Sequence, residues 1–182
     1  MDDRANHLFP EMGSTTLGPM SAPLSPSSVF TRRIALPDQK ATERLASALA
    51  ALLRPGDVVA LSGDLGSGKT TLARALIRTL SGDPEEEVPS PTFTLVQSYE
   101  TPAGPVWHFD LYRLSGPDEM LELGWDEATA TAILLVEWPE RLGSLLPPGR
   151  LDLVLTATGP ESREAVLGGD AGWTERLGSF AP

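Results

Sequence analysis

The segment from Val58 to Leu80, VVALSGDLGSGKTTLARALIRTL, limits the possible fold of this chain more than any other part of its sequence. It joins an apolar run, VVALSG, to a glycine-rich loop and then to a pattern with helical spacing. A short apolar run of this kind predicts a strand buried on both faces of a sheet, with helices covering both sides. Strand, glycine loop and helix in this order therefore predict an α/β fold.

The glycine-rich loop predicts a phosphate-binding site. Gly63, Gly68, Lys69 and Thr70 satisfy the pattern G-x-x-x-x-G-K-[ST], the P-loop or Walker A motif. In that motif the backbone N–H groups and the positive end of the helix face phosphate oxygens. We expect Lys69 to bridge the β- and γ-phosphates of ATP and Thr70 to ligate Mg²⁺. The predicted cradle consists of Gly63, Asp64, Leu65, Gly66, Ser67, Gly68, Lys69, Thr70 and Thr71; a glycine-rich turn without a ligand is the alternative.

The composition agrees with a special role for the loop lysine. Twelve of the 14 basic residues are arginines, and the two lysines are Lys40 and Lys69. A compact ammonium on a thin side chain fits a loop that closes around a phosphate, whereas the wide planar guanidinium does not.

An acidic residue at the end of a second buried strand is the next requirement of a nucleotide site with Mg²⁺. The apolar run AILLVEW ends in Glu137. A buried carboxylate is expensive unless it has a partner, so Glu137 is predicted to hold Mg²⁺ directly or through water. The alternative is that Glu137 lies at the solvated tip of its strand.

Two further stretches contribute candidate site residues. SPTFTLV places Thr92 in a loop after the P-loop helix, where a threonine can sense the γ-phosphate through Mg²⁺; an ordinary proline turn is the alternative. HFDLYRL places His108, Asp110 and Tyr112 on one strand face by the period of two. We predict that Asp110 orients the attacking water or the metal shell. A hairpin with a solvated polar face would give the same pattern.

The rest of the chain supplies the remaining elements of a single domain over residues 29–182. Residues 1–28 are rich in Pro, Ser, Gly and Thr and are predicted to be a disordered tail. VFTRRIAL predicts a strand, a helix begins at Pro37-Asp38, and FTLVQSY and VWHFDLY predict a hairpin. DEMLELG, DEATA and AGWTERLGSF predict helices, and REAVLGG is expected to pair with RLDLVLTA. The whole predicts a P-loop NTPase-like, three-layer α/β fold with a mainly parallel sheet and antiparallel edge strands.

The charge and the amino-acid content exclude several classes of protein. The net charge of −11 disfavours a broad face for RNA or DNA, so a protein partner or a small ligand is favoured. The chain has no cysteine, which excludes disulfides and thiolate chemistry. No apolar run reaches the roughly 20 residues of a membrane helix. Asp2 and Asp3 do not fit a secretory signal, so we expect a cytoplasmic protein without membrane contact.

Four blocks together, GDLGSGKTTLAR, SPTFTLV, HFDLYRL and LLVEWPER, resemble the bacterial TsaE family, formerly YjeE, in order and spacing. The resemblance covers about residues 34–168, whereas the tail and the C-terminal AGWTERLGSFAP match nothing in it. It implies a small ATPase of tRNA threonylcarbamoyladenosine formation, with Mg²⁺ held by Thr70 and Glu137. It also implies a role in turnover for Asp110 and a switch-like role for Thr92.

The same resemblance adds three residues and a set of partners. It implies that Trp138 lies near the nucleotide, that Thr42 helps to form the adenine edge, and that Arg163 approaches the nucleotide. The implied partners are TsaB- and TsaD-like proteins, which modify the adenosine beside the tRNA anticodon, so tRNA would be met indirectly. ATP binding and hydrolysis would reset that complex between rounds.

Two other functions use the same loop. One is a small-molecule kinase, which usually needs a lid with arginines over the transferred phosphoryl group; from the loop helix to Glu137 the sequence has only Arg74, Arg78 and Arg113. The other is a nucleotide-dependent binding switch with negligible hydrolysis, which would keep the loop and Thr92 but tolerate loss of Asp110.

Overall fold

A computed structural model describes residue 24, residues 28–116, residues 118–178 and residue 180 of the 182-residue chain. The tail predicted over residues 1–28 lies outside the described residues, except for Leu24 and Ser28. The division of the chain into this tail and one domain over residues 29–182 stays a prediction.

The described residues form one seven-stranded sheet with helices on both faces. The strands are β1 (Phe30–Leu36), β2 (Val58–Ser62), β3 (Val96–Thr101), β4 (Gly104–Asp110), β5 (Ile133–Glu137), β6 (Leu151–Ala157) and β7 (Arg163–Gly169). The α-helices are α1 (Gln39–Ala50), α2 (Lys69–Ser81), α3 (Glu119–Glu122), α4 (Trp125–Thr131) and α5 (Ala171–Arg176). A 3₁₀ segment, Pro139–Leu145, follows β5 and is broken at Gly143.

The strand order is β1-β7-β6-β2-β5-β4-β3. The four central strands, β6, β2, β5 and β4, are parallel to one another. The strands at both margins, β1 and β7 on one side and β3 on the other, pair antiparallel. The predicted α/β fold with a parallel centre and antiparallel edges is confirmed. The antiparallel part is wider than one edge strand because β7 folds back on β6 and then takes β1 as its outer neighbour.

Two apolar cores, one on each face of the sheet, make the predicted three layers. The larger core joins α1, α2 and α5 to one face, with Leu45, Leu76 and Trp173 among its buried residues. The smaller core joins α3, α4 and the 3₁₀ segment to the other face, with Phe109 and Trp125 in edge-to-face contact. All five residues of β2 and all five of β5 are buried, as their continuous apolar sequence predicts.

Local signals set the ends of the two long helices. The Asp38 carboxylate accepts a hydrogen bond from the Ala41 N–H (2.8 Å) and caps the start of α1. Gly82, with φ 73°, ends α2 in the left-handed conformation that favours glycine. The longest helix among the described residues, α2, has 13 residues, and none of these helices is both long and apolar enough to cross a membrane.

Two predicted segments differ from the structure near the hairpin. β3 begins at Val96 and not at Phe93, because the Leu95 N–H bonds to the Pro91 carbonyl (2.7 Å) and closes a turn there. β4 ends at Asp110, so the prediction that Tyr112 continues the same strand face is wrong. The Tyr112 N–H donates to Asp110 Oδ1 (3.2 Å), and this side-chain bond to the backbone two residues on turns the chain out of the sheet.

Candidate functional site

Three neighbouring parallel strands end at one edge of the sheet, and each ends beside a predicted site residue. β2 runs into the glycine loop, β5 ends at Glu137 and β4 ends at Asp110. Glu137 is in register with Leu61 of β2 on one side and with Asp110 on the other. Because the carboxyl ends of parallel strands share an edge, the loop and the two acids lie together.

The glycine loop turns through backbone conformations that side chains rarely adopt. Gly63, Gly66 and Gly68 have φ values of 136°, 78° and 107°. A Cβ atom at Gly63 would lie 2.2 Å from the carbonyl oxygen of Leu155 on β6. The loop is therefore pressed against the neighbouring strand, and a side chain at position 63 would force them apart.

Lys69 is folded back onto the loop that precedes it. Its Nζ donates to the carbonyls of Gly63 (2.7 Å) and Asp64 (2.9 Å) and lies 4.0 Å from the centre of the Trp138 ring. Burial lowers the pKa of Lys69, and nearby carboxylates, Glu137 first among them, act against that change. The loop thus holds a buried ammonium group, whose N–H donors bond to carbonyls of the loop itself.

Glu137 links the helix after the loop to β4. Thr70 Oγ1 donates to Glu137 Oε2 (2.9 Å), and His108 Nε2 lies 2.9 Å from the other carboxylate oxygen, Oε1. Glu137 is 2% exposed and His108 is fully buried. The alternative in which Glu137 lies at a solvated strand tip is therefore wrong. So is the alternative of a solvated polar face for the hairpin, because His108 and Asp110 are both buried.

Asp110 accepts hydrogen bonds from the loop that contains SPTFTLV. The hydroxyls of Ser90 and Thr92 both donate to Asp110 Oδ2, at 3.0 and 2.9 Å. Those two hydroxyls also lie 2.8 Å from each other. The loop threonine and the acid of β4, which the sequence offers as separate candidates, are in direct contact.

Trp138 follows the acid of β5 and bends back over the site. It adopts the left-handed conformation (φ 59°), which is uncommon for a residue other than glycine. Its ring lies 5.0 Å from the ring of Tyr112, centre to centre, and covers the Lys69 ammonium. Backbone strain at a residue that contacts a site lysine is typical of functional sites.

Arg163, at the start of β7, packs on the outside of the loop. Its Nε donates to the Ser67 carbonyl (3.1 Å), and its terminal nitrogens donate to the carbonyls of Gly66 (3.4 Å) and Gly159 (3.1 Å). Thr42, on α1, lies in the cavity beside this arginine. Arg163 therefore ties the loop to the β6–β7 turn.

Two adjoining cavities flank the loop and share Gly68, Thr71 and Arg163. The lysine-side cavity, about 290 Å³, is lined by the loop and by Ser90, Thr92, Asp110, Tyr112, Glu137 and Trp138. The arginine-side cavity, about 520 Å³, is lined by the start of α1 from Asp38 to Thr42, by Leu155 and by the β6–β7 turn. Together they form a continuous groove across the loop.

The structure thus brings most of the predicted site residues to this groove. Lys69, Thr70, Thr92, Asp110, Glu137 and Trp138 line the lysine-side cavity, Thr42 and Ser67 line the arginine-side cavity, and Leu65 lies at the rim with 79% of its surface exposed. Gly63 and Asp64 line neither cavity and contact Lys69 through their carbonyls. Their roles toward a ligand stay predictions.

Two side-chain contacts of the site are not predicted from the sequence. Ser90 shares Asp110 with Thr92, although only Thr92 was assigned a role. His108 was placed on the site wall, but its contact with Glu137 was not predicted. The signal for this contact is that HFD and VE end two apolar strands: if those strands are neighbours, His108 lies two residues before the register partner of Glu137 and on the same face of the sheet.

The residues present fit a nucleotide with its metal ion. Ser67 Oγ is buried in the loop without a hydrogen-bond partner among the described residues, and the three glycines leave the backbone open to an anion. The groups of the lysine-side cavity that could ligate a metal ion beside Glu137 are oxygens, from Thr70, Thr92 and Asp110, and oxygen is the ligand that Mg²⁺ prefers. Within the described ranges, no group of three or more His, Cys, Asp or Glu side chains could hold a metal by itself. Mg²⁺ at nucleotide sites is held by one or two protein groups together with substrate phosphates.

A parallel sheet with a glycine loop opening α2, a lysine in the loop and an acid on the adjacent strand defines a P-loop NTPase-like protein. The family model described as "Threonylcarbamoyl adenosine biosynthesis protein TsaE" matches residues 36–165. This chain belongs to the TsaE family.

Relatives and a solved structure agree with this assignment. The TsaE protein of Rickettsia felis is 42% identical over 120 residues, 66% of this chain and 70% of the relative. The TsaE protein of Bacillus subtilis is 39% identical over 124 residues, 68% of this chain and 76% of the relative. The crystal structure of YdiB from Bacillus subtilis is similar with a TM-score of 0.67 and 30% identity, over 82% of this chain and 93% of that one. The predicted family is confirmed.

Proposed function

We propose that this protein is an ATPase of tRNA threonylcarbamoyladenosine formation, which binds and hydrolyses Mg-ATP to drive or reset a complex of TsaB- and TsaD-like proteins. Membership of the TsaE family supports the pathway. The groove of the lysine-side and arginine-side cavities supports the nucleotide. The acidic net charge of −11 supports contact with tRNA through protein partners and not by a broad basic face. The proposed location of this complex is the cytoplasm.

The observation that carries the proposal is the 2.9 Å hydrogen bond from Thr70 Oγ1 to Glu137 Oε2. It joins the last residue of the loop motif to the acid of the adjacent strand, both at the lysine-side cavity. A hydroxyl and a carboxylate in contact beside a phosphate cradle are the pair that would hold Mg²⁺. When bound, Mg²⁺ neutralises charge on the β- and γ-phosphate oxygens.

The remaining groups of the lysine-side cavity have different roles toward the phosphates: one binds their oxygens and another positions the attacking water. Lys69 would exchange its bonds to the Gly63 and Asp64 carbonyls for bonds to phosphate oxygens. Asp110 would hold the water that attacks the γ-phosphorus, with ADP as the leaving group. Ser90 and Thr92 both donate to Asp110 Oδ2, so a shift of Thr92 away from Asp110 would remove one of these two hydrogen bonds and leave an acceptor position for that water.

The arginine-side cavity would take the nucleoside. Thr42 and the start of α1 form one wall, and Arg163 and the β6–β7 turn form the other. Thr71 lies between the two cavities and is suited to contact the α-phosphate. We propose that Trp138 closes the opposite end, over Lys69 and not over the base.

The direct experiment is to measure ATP hydrolysis by the purified full chain, alone and with a TsaB–TsaD pair. We expect slow hydrolysis alone and strong stimulation by the pair. Unchanged hydrolysis with the pair, together with phosphate transfer to an added metabolite, would favour a small-molecule kinase. Tight ATP binding without hydrolysis in either case would favour a binding switch.

Asp110→Ala tests the step of hydrolysis separately from binding. We expect turnover to fall on the order of 100-fold, because positioned acid–base groups contribute at least that much, while ATP affinity changes little. The control is Asp126→Ala, which removes an exposed carboxylate of α4 that lines neither cavity. Normal hydrolysis by Asp110→Ala would show that the role given to Asp110 is wrong.

A further inference from the structure

His108 is a fully buried polar side chain on the second strand from one margin of the sheet, and it contacts the carboxylate of Glu137. It lies on β4, where its register partners are Gln97 of β3 and Leu135 of β5. Its Nε2 is 2.9 Å from Glu137 Oε1, and the other oxygen of Glu137 accepts from Thr70. The carboxylate is therefore held from two sides, once by the loop helix and once by β4.

The surroundings of the imidazole fix where its proton lies. Among the described residues, Nδ1 of His108 is buried and has no hydrogen-bond partner. A buried N–H without an acceptor is more costly than a buried lone pair on an aromatic nitrogen, so Nδ1 carries no proton. The proton of the ring is therefore on Nε2, and Nε2 donates to Glu137 Oε1.

A packing role alone does not explain this residue. Val106, two residues earlier on the same face of β4, is fully buried in the larger apolar core, and an apolar side chain at position 108 would continue that core. It would also leave Oε1 of a 2% exposed carboxylate without this donor. A buried carboxylate oxygen without a hydrogen-bond donor is unfavourable, so Glu137 would turn away from its present orientation.

We propose that His108 is a positioning residue: it donates from Nε2 to Glu137 Oε1 and so aims Glu137 Oε2, together with Thr70, at the Mg²⁺ of bound ATP. The inference rests on the proposed function. Groups that hydrogen-bond to a metal ligand fix its orientation, and their loss lowers metal affinity about 10- to 100-fold. His108 would thus control Mg²⁺ without touching the nucleotide.

The test compares ATP affinity with Mg²⁺ and with EDTA, using isothermal titration calorimetry on the full chain. The variant His108→Leu removes the donor, and we expect the preference for Mg²⁺ over EDTA to fall about 10-fold. His108→Gln puts an amide N–H near the position of Nε2, so we expect it to keep most of the preference. His108→Asn is too short to reach Glu137 and is expected to lose it.

The matched control is Val106→Ala, on the same face of the same strand. It opens a cavity in the core and lowers stability, but it leaves the Glu137 contacts alone, so the preference for Mg²⁺ should not change. If His108→Leu does not fold, the comparison of His108→Gln with His108→Asn decides the question. An additional test is the background Glu137→Gln, in which His108→Leu should cause no further loss.

The inference is overturned if wild-type protein prefers Mg-ATP and either His108→Leu or His108→Asn keeps that preference. It is also overturned if Val106→Ala loses the preference to the same extent, because the effect would then follow stability. A wild-type protein that binds no ATP under either condition would instead reject the proposed function, and the role of His108 with it.

Discussion

The two ends of β2 use charged side chains in opposite ways. Asp57, just before the strand, meets the guanidinium of Arg176 from α5 with two parallel bonds, 2.8 Å from NH1 to Oδ1 and 2.5 Å from NH2 to Oδ2. Trp173 stacks on that guanidinium at 3.9 Å, and the Leu52 carbonyl accepts from it as well. At the other end, Lys69, Glu137 and Asp110 line an open cavity.

The two groups differ in how completely their charged and polar atoms are paired within the protein. Arg176 and Asp57 saturate each other in a planar geometry that an arginine keeps at any pH. The group after β2 has instead a lysine with a lowered pKa and, among the described residues, two buried polar atoms without partners, on Ser67 and His108. Charge that is fully matched within the protein stabilises the fold, whereas charge that is incompletely matched is available to a ligand.

The largest expected effect on ATP affinity is that of Lys69→Ala. It should lower ATP affinity about 100-fold, because it removes a charged donor from the phosphates, and leave the free energy of unfolding nearly unchanged. Isothermal titration calorimetry and urea unfolding measure the two quantities. Lys69→Arg keeps the charge, yet we expect it not to restore affinity because the guanidinium does not fit the loop. Full affinity in Lys69→Arg would contradict this account of the loop.

Arg176→Ala, which removes the ion pair with Asp57, should give the reverse result: a lower free energy of unfolding and an unchanged ATP affinity. Removing one partner of a largely buried pair leaves Asp57 unmatched, so we expect the free energy of unfolding to fall by about 3 kcal/mol. ATP affinity at a temperature where the variant is folded should not change. Arg176→Lys is the control, and it should recover only part of the stability because it cannot form both bonds. A fall in ATP affinity would mean that the two ends of β2 are coupled.

The smallest expected effect is a pH dependence of the free energy of unfolding, which arises from Lys69 and not from the Arg176–Asp57 pair. Burial lowers the pKa of Lys69 below its ordinary value of 10.5, so in the window just below 10.5 the unfolded chain binds a proton that the folded chain has lost. The free energy of unfolding should therefore rise with pH in that window, relative to Lys69→Met. Urea unfolding of both proteins at several pH values below 10.5 checks this. A relative fall with rising pH would show that the acidic neighbours outweigh burial.

Local sequence signals predicted the elements that lie around the site. The loop motif, the apolar runs of β2 and β5 and the hairpin of β3 and β4 are all readable over fewer than about ten residues, because strand and turn preferences act at that range. The 3₁₀ segment after β5 was not predicted, since Trp138 enters it in a left-handed conformation that no simple pattern marks.

The contacts between strands were harder to predict. That His108 meets Glu137, and that Asp110 collects Ser90 and Thr92, depends on β4 lying beside β5 in one particular register. Register between strands that are distant in sequence is set by packing of the whole sheet and not by local preference. The roles of these residues toward ATP and Mg²⁺ stay predictions until binding is measured.

The close approach of Gly63 to the Leu155 carbonyl has a consequence for any attempt to shorten this protein. Every residue predicted to act in catalysis lies between positions 63 and 137, yet the loop rests on β6 and is tied to the β6–β7 turn by Arg163. A fragment that ends after Glu137 would contain the whole predicted reaction chemistry and lack the surface that gives the loop its shape. The candidate nucleotide site is therefore not a detachable module within the chain, because β6 and β7 support the glycine loop from outside that fragment.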